Sequence, residues 1–545
     1  FMEGFGVHTF RFIDESGASS YVKFHWKPLQ GVQSVVWDEA VKINGADPDF
    51  HRRDLWNSIE SGDHPQWELG VQVFDDEFAD AFPFDVLDAT KLIPEEDVPV
   101  QMIGKMTLNQ NVDNFFAETE QVAFCTSNVV RGIDFTNDPL LQGRLFSYTD
   151  TQLSRLGSPN FDEIPINRSI NEKSNNQRDA HMRMRINKGN TAYFPNSLSG
   201  GCPYLSKIAE GGFYSYEERI DAQKVRDRSE SFSDHYSQPA LFYRSLADWE
   251  KRHVEGAYAF ELGKCEHTYI VERMLWLLNQ IDQTLAENVA EKVGIEIPDE
   301  IDKPVNQNIG ANADVDKHQP GPVKNYLDKS PALSQEHIKT KSIETRQIAV
   351  LVADGFDMDH FEKMKSDFDE RGAMLKLIAP SGGKVTCNTG MKHDVDAALF
   401  TTESVLFDAL YIPGGSESIK KLKSEGKVFK FIHEMYKHCK AIYFSDEAKE
   451  LLEKSIQYHD PANEWNTKAM TLSLQASRPN GSLDTTKVFI NISESDFKLE
   501  EERKGKNKSY HVKNDQCLLR LDGSEEISEA DAKEHRMTCE IAKRI

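Results

Sequence analysis

Apolar positions along the chain change rhythm three times. In the first hundred residues they fall in short alternating or aromatic-rich runs at 7–12, 21–25 and 67–74, bounded by Gly, Ser and Pro, and this period of two predicts strands of an antiparallel sheet. A helix is expected over 49–61. Residues 110–145 run through Asn, Gly, Asp and Pro with little periodicity, which predicts an extended arm. Helical spacing returns at 247–261 and 269–293.

Between 296 and 346 the pattern lapses, with Pro298, Pro304, Pro320, Pro322 and Pro331 scattered among polar residues, a linker composition. The continuous apolar run 347–353 then ends in Asp354-Gly355, as a strand covered on both faces of a parallel sheet does. A helix at 361–371 and a strand at 375–379 follow it. A strand at 409–412 runs into Pro413-Gly414-Gly415, followed by a helix at 428–440, a strand at 441–444 and a helix at 447–452. This alternation predicts a doubly wound, flavodoxin-like sheet. The tail 456–545 offers one strand signal at 488–492 and a mixed charge run at 500–508, the latter a solvated loop or face.

Composition narrows the function classes. At 545 residues the chain exceeds one hydrophobic core, and about three or four domains are expected. A net charge of −25 argues against a phosphate-binding surface and hence against nucleic acid. No segment reaches the roughly 18 apolar residues of a membrane span, so no membrane partner is expected. Seven cysteines lie scattered without a CxxC pair, indicating neither a zinc module nor a disulfide scaffold. They read as mostly reduced, which leans towards the cytoplasm without deciding the compartment. His433, His438 and Cys439 are read as part of a solvated helix, because a spacing of five places the two histidines on different faces.

The chemistry concentrates at Arg144, Tyr148 and Arg155. On a helix these three side chains fall near one face. A phenol ordinarily titrates near about 10, and a guanidinium within a few ångströms favours its anion, a hard electron-donating ligand suited to ferric iron. Arg155, farther along, could reach a carboxylate of a bound macrocycle.

Five blocks in order surround this motif: Phe5-Gly6-Val7-His8-Thr9-Phe10-Arg11, Tyr21 to Pro28, Asp49 to Leu55, Asp134 to Arg144, and Ser229 to Gln238. Together they resemble monofunctional haem catalases of the large-subunit type, with a C-terminal part similar to class I glutamine amidotransferase-like domains. The resemblance implies an α+β fold: a catalase-type antiparallel β-barrel (1–109), a wrapping arm with the proximal haem helix (110–230) and a helical segment (231–295). After the linker (296–346) come a flavodoxin-like α/β domain (347–455) and an unassigned tail (456–545). It further implies haem b, or its oxidised form haem d, with Tyr148 as axial iron ligand, Arg144 holding the phenolate and Arg155 meeting a propionate. Asp138 and His8 would form the supporting network behind Arg144.

The implied activity is disproportionation of hydrogen peroxide by a homotetramer, a protection against oxidative stress. The alternative is a non-catalytic haem-binding or assembly module. The family's distal His and Asn are expected upstream of Phe1, which leaves no catalytic residue within this chain and an inactive fragment, since His8, His25 and His51 fall in blocks used elsewhere. Cys125, on the arm before Tyr148, is a candidate for a thioether to the tyrosine β-carbon. At the amidotransferase elbow the chain reads Phe444-Ser445-Asp446-Glu447, without the nucleophilic cysteine of active relatives, so packing rather than hydrolysis is expected of that domain.

Overall fold

The structure is a computed structural model. It describes residues 2–457 apart from 33, 171–176, 192, 199–206, 208–211, 220, 222–228, 308, 312, 338–341 and 439, and beyond 457 only the backbone of short strands between 471 and 521.

The N-terminal part contains β1 (Gly4–Phe5), β2 (Phe10–Ile13), β3 (Ser19–Pro28), α1 (Trp37–Ala46), α2 (Phe50–Ser61), β4 (Gln66–Phe74), α3 (Asp76–Ala81), β5 (Gln101–Thr107) and β6 (Ile133–Phe135). The strands form one antiparallel sheet in the order β5-β4-β3-β2-β6, and β1 pairs with the far end of β3. The described strands make an open sheet, with no outer neighbour of β5 or β6 among them, and an N-terminally truncated part of a barrel was expected of residues 1–109. Tyr21, Phe74, Val86, Ile93 and Val98 form its core. The alternation of period two located β2, β3 and β4, but α1 gave no signal, since its buried residue is Glu39 and it lacks an apolar stripe.

The arm is shorter than expected. Helix α4 (Pro139–Leu156) starts at Pro139 rather than after Leu145, because Pro139 is preset for the first turn and Asp138 accepts hydrogen bonds from the Leu140 and Leu141 amides. Gly157 ends it at φ 74°, a left-handed conformation that glycine adopts without a Cβ clash. Helices α5 (Ser237–Ser245), α6 (Asp248–Leu262), α7 (Thr268–Ile281) and α8 (Gln283–Val293) follow. The expected single helix over 269–293 is thus two. Asp282 turns the backbone to φ −158°, ψ 126° and accepts from the Leu285 amide to start α8. Leu275, Leu278, Leu285 and Val289 lock the pair together.

The described residues of 296–346 include no long element but are not a loose tether. Ser330 is fully buried, with its amide on Ser245 and its hydroxyl on Glu96, and the Ser334 hydroxyl and Gln335 amide both bind Glu250. Specific polar anchoring replaces the missing apolar pattern.

The C-terminal part comprises β7 (Gln347–Leu351), α9 (Met358–Glu370), β8 (Met374–Ala379), β9 (Lys384–Thr386), β10 (Lys392–Asp394), β11 (Ala397–Ala398), β12 (Ala409–Ile412), α10 (Ser416–Leu422), α11 (Gly426–Lys437), β13 (Ala441–Phe444) and α12 (Lys449–Gln457). A parallel sheet runs β11-β8-β7-β12-β13, while β9 and β10 make a separate hairpin. Alternate strand residues serve two cores. Ala349, Leu351, Leu410, Ile412, Ile442 and Phe444 pack with Phe431, Ile432 and Leu451 of α11 and α12. Ile348, Val350, Ala409, Tyr411 and Tyr443 pack with Phe361 and Phe368 of α9 on the other face. Burial on both faces explains the unbroken apolar runs. The tail adds a strand, Lys487–Phe489, antiparallel to β13; the rest of the expected strand at 488–492 lies outside the described residues.

Helix α1 ties the two parts together. Glu39 and Lys440 form a buried ion pair at 2.6 Å, and Lys440 also donates to the Val405 and Phe407 carbonyls. His438 bonds Asp38 at 2.8 Å, and Lys42 bonds Glu434 at 3.1 Å. The reading of His433, His438 and Cys439 as a solvated helix is therefore corrected. Helix α11 ends at Lys437, His438 is buried against α1, and Cys439 lies outside the described residues.

Candidate functional site

Helix α4 carries the motif, and its placement begins at its cap. The Asp138 carboxylate, besides holding the first-turn amides, receives the His8 ring: Nδ1 and Oδ2 lie 2.5 Å apart, with the two residues 5% and 1% exposed. His8 sits between β1 and β2, so this contact fixes the helix start to the sheet. Its Nε2 is buried without a hydrogen-bond partner among the described residues. A buried nitrogen in that state costs stability unless something else requires it.

One and a half turns further, Arg144 Nη2 donates to Tyr148 Oη at 2.8 Å, and its guanidinium carbon lies 5.1 Å from the ring centre. Both side chains are half-buried. A guanidinium donating to a phenolic oxygen stabilises negative charge on that oxygen. Six residues separate Asp138 from Arg144, about 120° apart around a helix. The structure accordingly holds His8–Asp138 and Arg144–Tyr148 as two pairs on one helix, without a hydrogen bond joining them among the described residues.

Arg155 is seven residues past Tyr148, about 10 Å along the axis. Its guanidinium donates to the Glu120 carbonyl at 2.6 Å, the Val122 carbonyl at 2.5 Å and the Gln152 side chain at 2.6 Å. The Gln152 amide donates to the Phe124 carbonyl, and Asn167 binds the Gln121 carbonyl and the Ala123 amide. Five consecutive residues of the arm, 120 to 124, are thus stitched down around α4. This brings Cys125 alongside the helix, where its Sγ lies 3.9 Å from Thr149 Oγ1 and 2.9 Å from Ser127 Oγ. Gln152 and Asn167 had no signature in the sequence, since isolated amides are ordinary residues until their partners are known.

The sequence that carries this helix and its surrounding blocks finds counterparts among known proteins. Three family models match along the chain: catalase over residues 1–200, catalase-related immune-responsive over 229–293, and the C-terminal domain found in long catalases over 344–470. The chain belongs to the catalase family. A catalase of Alkalihalophilus pseudofirmus is 48% identical over 81% of this chain and 62% of its own length. Catalase HPII of Pseudomonas putida is 49% identical over 82% and 61%, and Catalase-2 of Bacillus subtilis 48% over 84% and 63%. The chain spans about three fifths of the length of these catalases. The catalase family implies a haem cofactor, and the donor set fits one: an anion-forming oxygen, Tyr148 Oη, held by a guanidinium. Among the described residues no cluster of His, Cys, Asp and Glu could hold a bare metal ion, and no helix is long and apolar enough to cross a membrane.

The C-terminal part of this catalase-family chain has a different character. Ser445, at the elbow position, has φ −76° and ψ 161°, an ordinary extended conformation rather than the strained turn of a nucleophile. Glu447 Oε2 accepts the Gly415 amide at 2.5 Å, so that this backbone donor beside the elbow is already taken.

Proposed function

We propose that residues 1–293 form the proximal side of a haem pocket, and that the protein disproportionates hydrogen peroxide to water and oxygen. The observation that carries this reading is the Arg144–Tyr148 hydrogen bond on a helix anchored by His8 and Asp138, in a chain of the catalase family. Tyr148 would be the axial ligand of haem b, and the haem, when bound, supplies the two-electron exchange with peroxide. Arg144 donates into the phenolic oxygen and would favour negative charge there in that bond. Arg155 offers its guanidinium to a propionate by exchanging one of its carbonyl contacts at Glu120 or Val122.

Proton transfer between the peroxide oxygens needs an acid–base group on the opposite side of the haem. His8 and His25 are buried against Asp138 and Gln72, and His51 lies exposed on α2. None of the three is assigned that role, and turnover by this chain alone is expected to be slight. The exposed Phe115, Phe116 and Phe124 of the arm are the surface that a homotetramer would bury. The C-terminal part, similar to flavodoxin-like amidotransferase domains, serves by packing onto α1 rather than by hydrolysis.

We further infer a thioether between Cys125 Sγ and Tyr148 Cβ, supported by the position of Cys125 beside Thr149. The S–C bond replaces one S–H and one Cβ–H bond; the two electrons and two protons released reduce one hydrogen peroxide to two waters. Tryptic peptides linked with the loss of two hydrogens are expected from haem-loaded protein, and separate unmodified peptides overturn the link.

The test of the site is haem reconstitution. A high-spin ferric spectrum with tyrosinate ligation, lost in Tyr148→Phe, is expected; an unchanged spectrum in that variant refutes the axial assignment. Haem bound through Tyr148 in the full-length protein with no oxygen released from peroxide would favour the non-catalytic binding module instead.

A further inference from the structure

Arg11 lies on β2 and is 1% exposed, so its guanidinium is a buried charge that needs compensation. The partners that the sheet offers it are neutral: Nη1 donates to Ser19 Oγ and Nη2 to Tyr21 Oη, each at 2.8 Å. Its carboxylate partners come from outside the sheet, Asp76 of α3 at 3.3 Å and Glu218 at 3.2 Å. Glu218 is the better shielded of the two, 31% exposed against 56%.

Residues 216–218 lie over this charge. The Tyr216 ring centre is 4.4 Å from the guanidinium carbon, and the Tyr21 ring centre 4.1 Å. The Tyr216 amide donates to Asp134 Oδ2 at 2.8 Å, and Asp134 is the β6 residue that pairs with Arg11. Glu218 accepts from Arg11 through Oε1 and from Asn137 Nδ2 through Oε2, the latter at 2.9 Å. One carboxylate therefore spans from the interior of the sheet to the residue just before the cap of α4.

Asn137 occupies a junction. Up to Thr136 the chain belongs to the sheet, since β6 pairs with β2 and the Thr136 hydroxyl donates to the Thr9 carbonyl at 2.6 Å. From Asp138 onwards it belongs to the helix. The His8–Asp138 contact alone is a pivot for a helix 18 residues long, and a second hold on the adjacent residue restricts its swing. We propose that Arg11 and Glu218 are a positioning pair for helix α4: the buried guanidinium fixes Glu218, and Glu218 fixes Asn137 and so the direction in which Arg144 and Tyr148 are presented. The functional half of this inference rests on the proposed proximal site, and the bridge itself does not.

The experiment compares Glu218→Ala, Glu218→Gln and Asn137→Ala in the full chain. Glutamine keeps an oxygen for Arg11 and offers its amide to the Asn137 side-chain oxygen, so it preserves the bridge that alanine deletes. In haem-free protein, deuterium uptake over residues 137–147 should rise about threefold in Glu218→Ala, as the net loss of one hydrogen bond implies, and stay at the wild-type level in Glu218→Gln. Uptake over 275–289, in the helical core, should not change. Asn137→Ala should match Glu218→Ala, and the double variant should add nothing to either. In haem-loaded protein the tyrosinate-to-iron charge-transfer band should shift in Glu218→Ala and return in Glu218→Gln, a change that lowered stability alone does not produce. Unaltered uptake over 137–147 in the alanine variants, equal uptake in Glu218→Ala and Glu218→Gln, or additive single variants overturns the bridge. An identical band in folded, haem-loaded Glu218→Ala overturns the positioning role. Should Glu218→Ala fail to fold, Asn137→Ala, which removes the same hydrogen bond from the helix side, decides both points by its uptake and its band. A wild-type band without tyrosinate ligation would instead count against the proximal site and leave the exchange result standing.

Discussion

His8 Nδ1 and Asp138 Oδ2 lie 2.5 Å apart across 130 residues of sequence. One carboxylate thereby performs two tasks, because the same Asp138 caps α4 through its other oxygen. The helix that carries Arg144 and Tyr148 is oriented to the sheet by a hydrogen bond at its first turn, where a small rotation would displace both side chains.

Removing that carboxylate separates the two tasks. Asp138→Ala loses the bond to His8 and the cap, a cost of about 3 kcal/mol in urea unfolding. Asp138→Asn retains a capping oxygen and should recover about 1 kcal/mol of it. Equal losses in the two variants would show that the cap contributes nothing.

Arg155 and the arm are coupled. Arg155→Ala removes hydrogen bonds to the Glu120 and Val122 carbonyls, so deuterium uptake across residues 118–126 should rise at least several-fold while the C-terminal part is unchanged. Uptake identical to wild type would mean that Gln152 and Asn167 hold the segment without it.

Acid should loosen the contact between α1 and the C-terminal part. Burial holds the His438 imidazole down to about 4, despite the hydrogen bond to Asp38 that favours its charged form. Burial would raise Asp38, but hydrogen bonds from His438, Lys42 and Lys437 outweigh it and hold the carboxyl well below its usual range. A depressed histidine is protonated more readily when undocked, so the contact weakens as pH falls from about 6.5 towards 4, and the Asp38 contribution is lost at still lower pH. Glu39, raised by burial despite Lys440, works in the opposite sense and softens the change. Limited proteolysis within 296–346 should accelerate between pH 6.5 and pH 4.5, and His438→Gln should flatten that rise.

The ion pair of Glu39 and Lys440 is expected to matter more when broken than when present. Glu39→Ala leaves a buried ammonium with only carbonyl partners and should cost about 3 kcal/mol, whereas the double replacement Glu39→Leu with Lys440→Met should cost far less. Chemical unfolding of both variants distinguishes the two.

Much of the fold was legible wherever one local rule governed it. Period-two alternation located β3 and β4, and unbroken apolar runs marked β7, β12 and β13, because a pleated strand exposes its burial pattern directly in sequence. The start of α4 was written in Asp138-Pro139 yet was covered by the irregular composition around it, and the break at Asp282 was masked by apolar spacing that continues through it. Helix α1 was missed for the opposite reason: it is held by charges rather than by an apolar face.

By itself the sequence determined the helical register of Arg144, Tyr148 and Arg155 and the family in which that register has meaning, since helical spacing is a property of neighbouring residues. Only the tertiary structure decided that Arg144 binds Tyr148, that Arg155 is engaged by the arm, that Cys125 arrives beside Thr149, and that His8 meets Asp138. Apart from the Arg144–Tyr148 bond, each of these joins residues distant in the chain, and such contacts exist only once sheet, arm and helix have packed together.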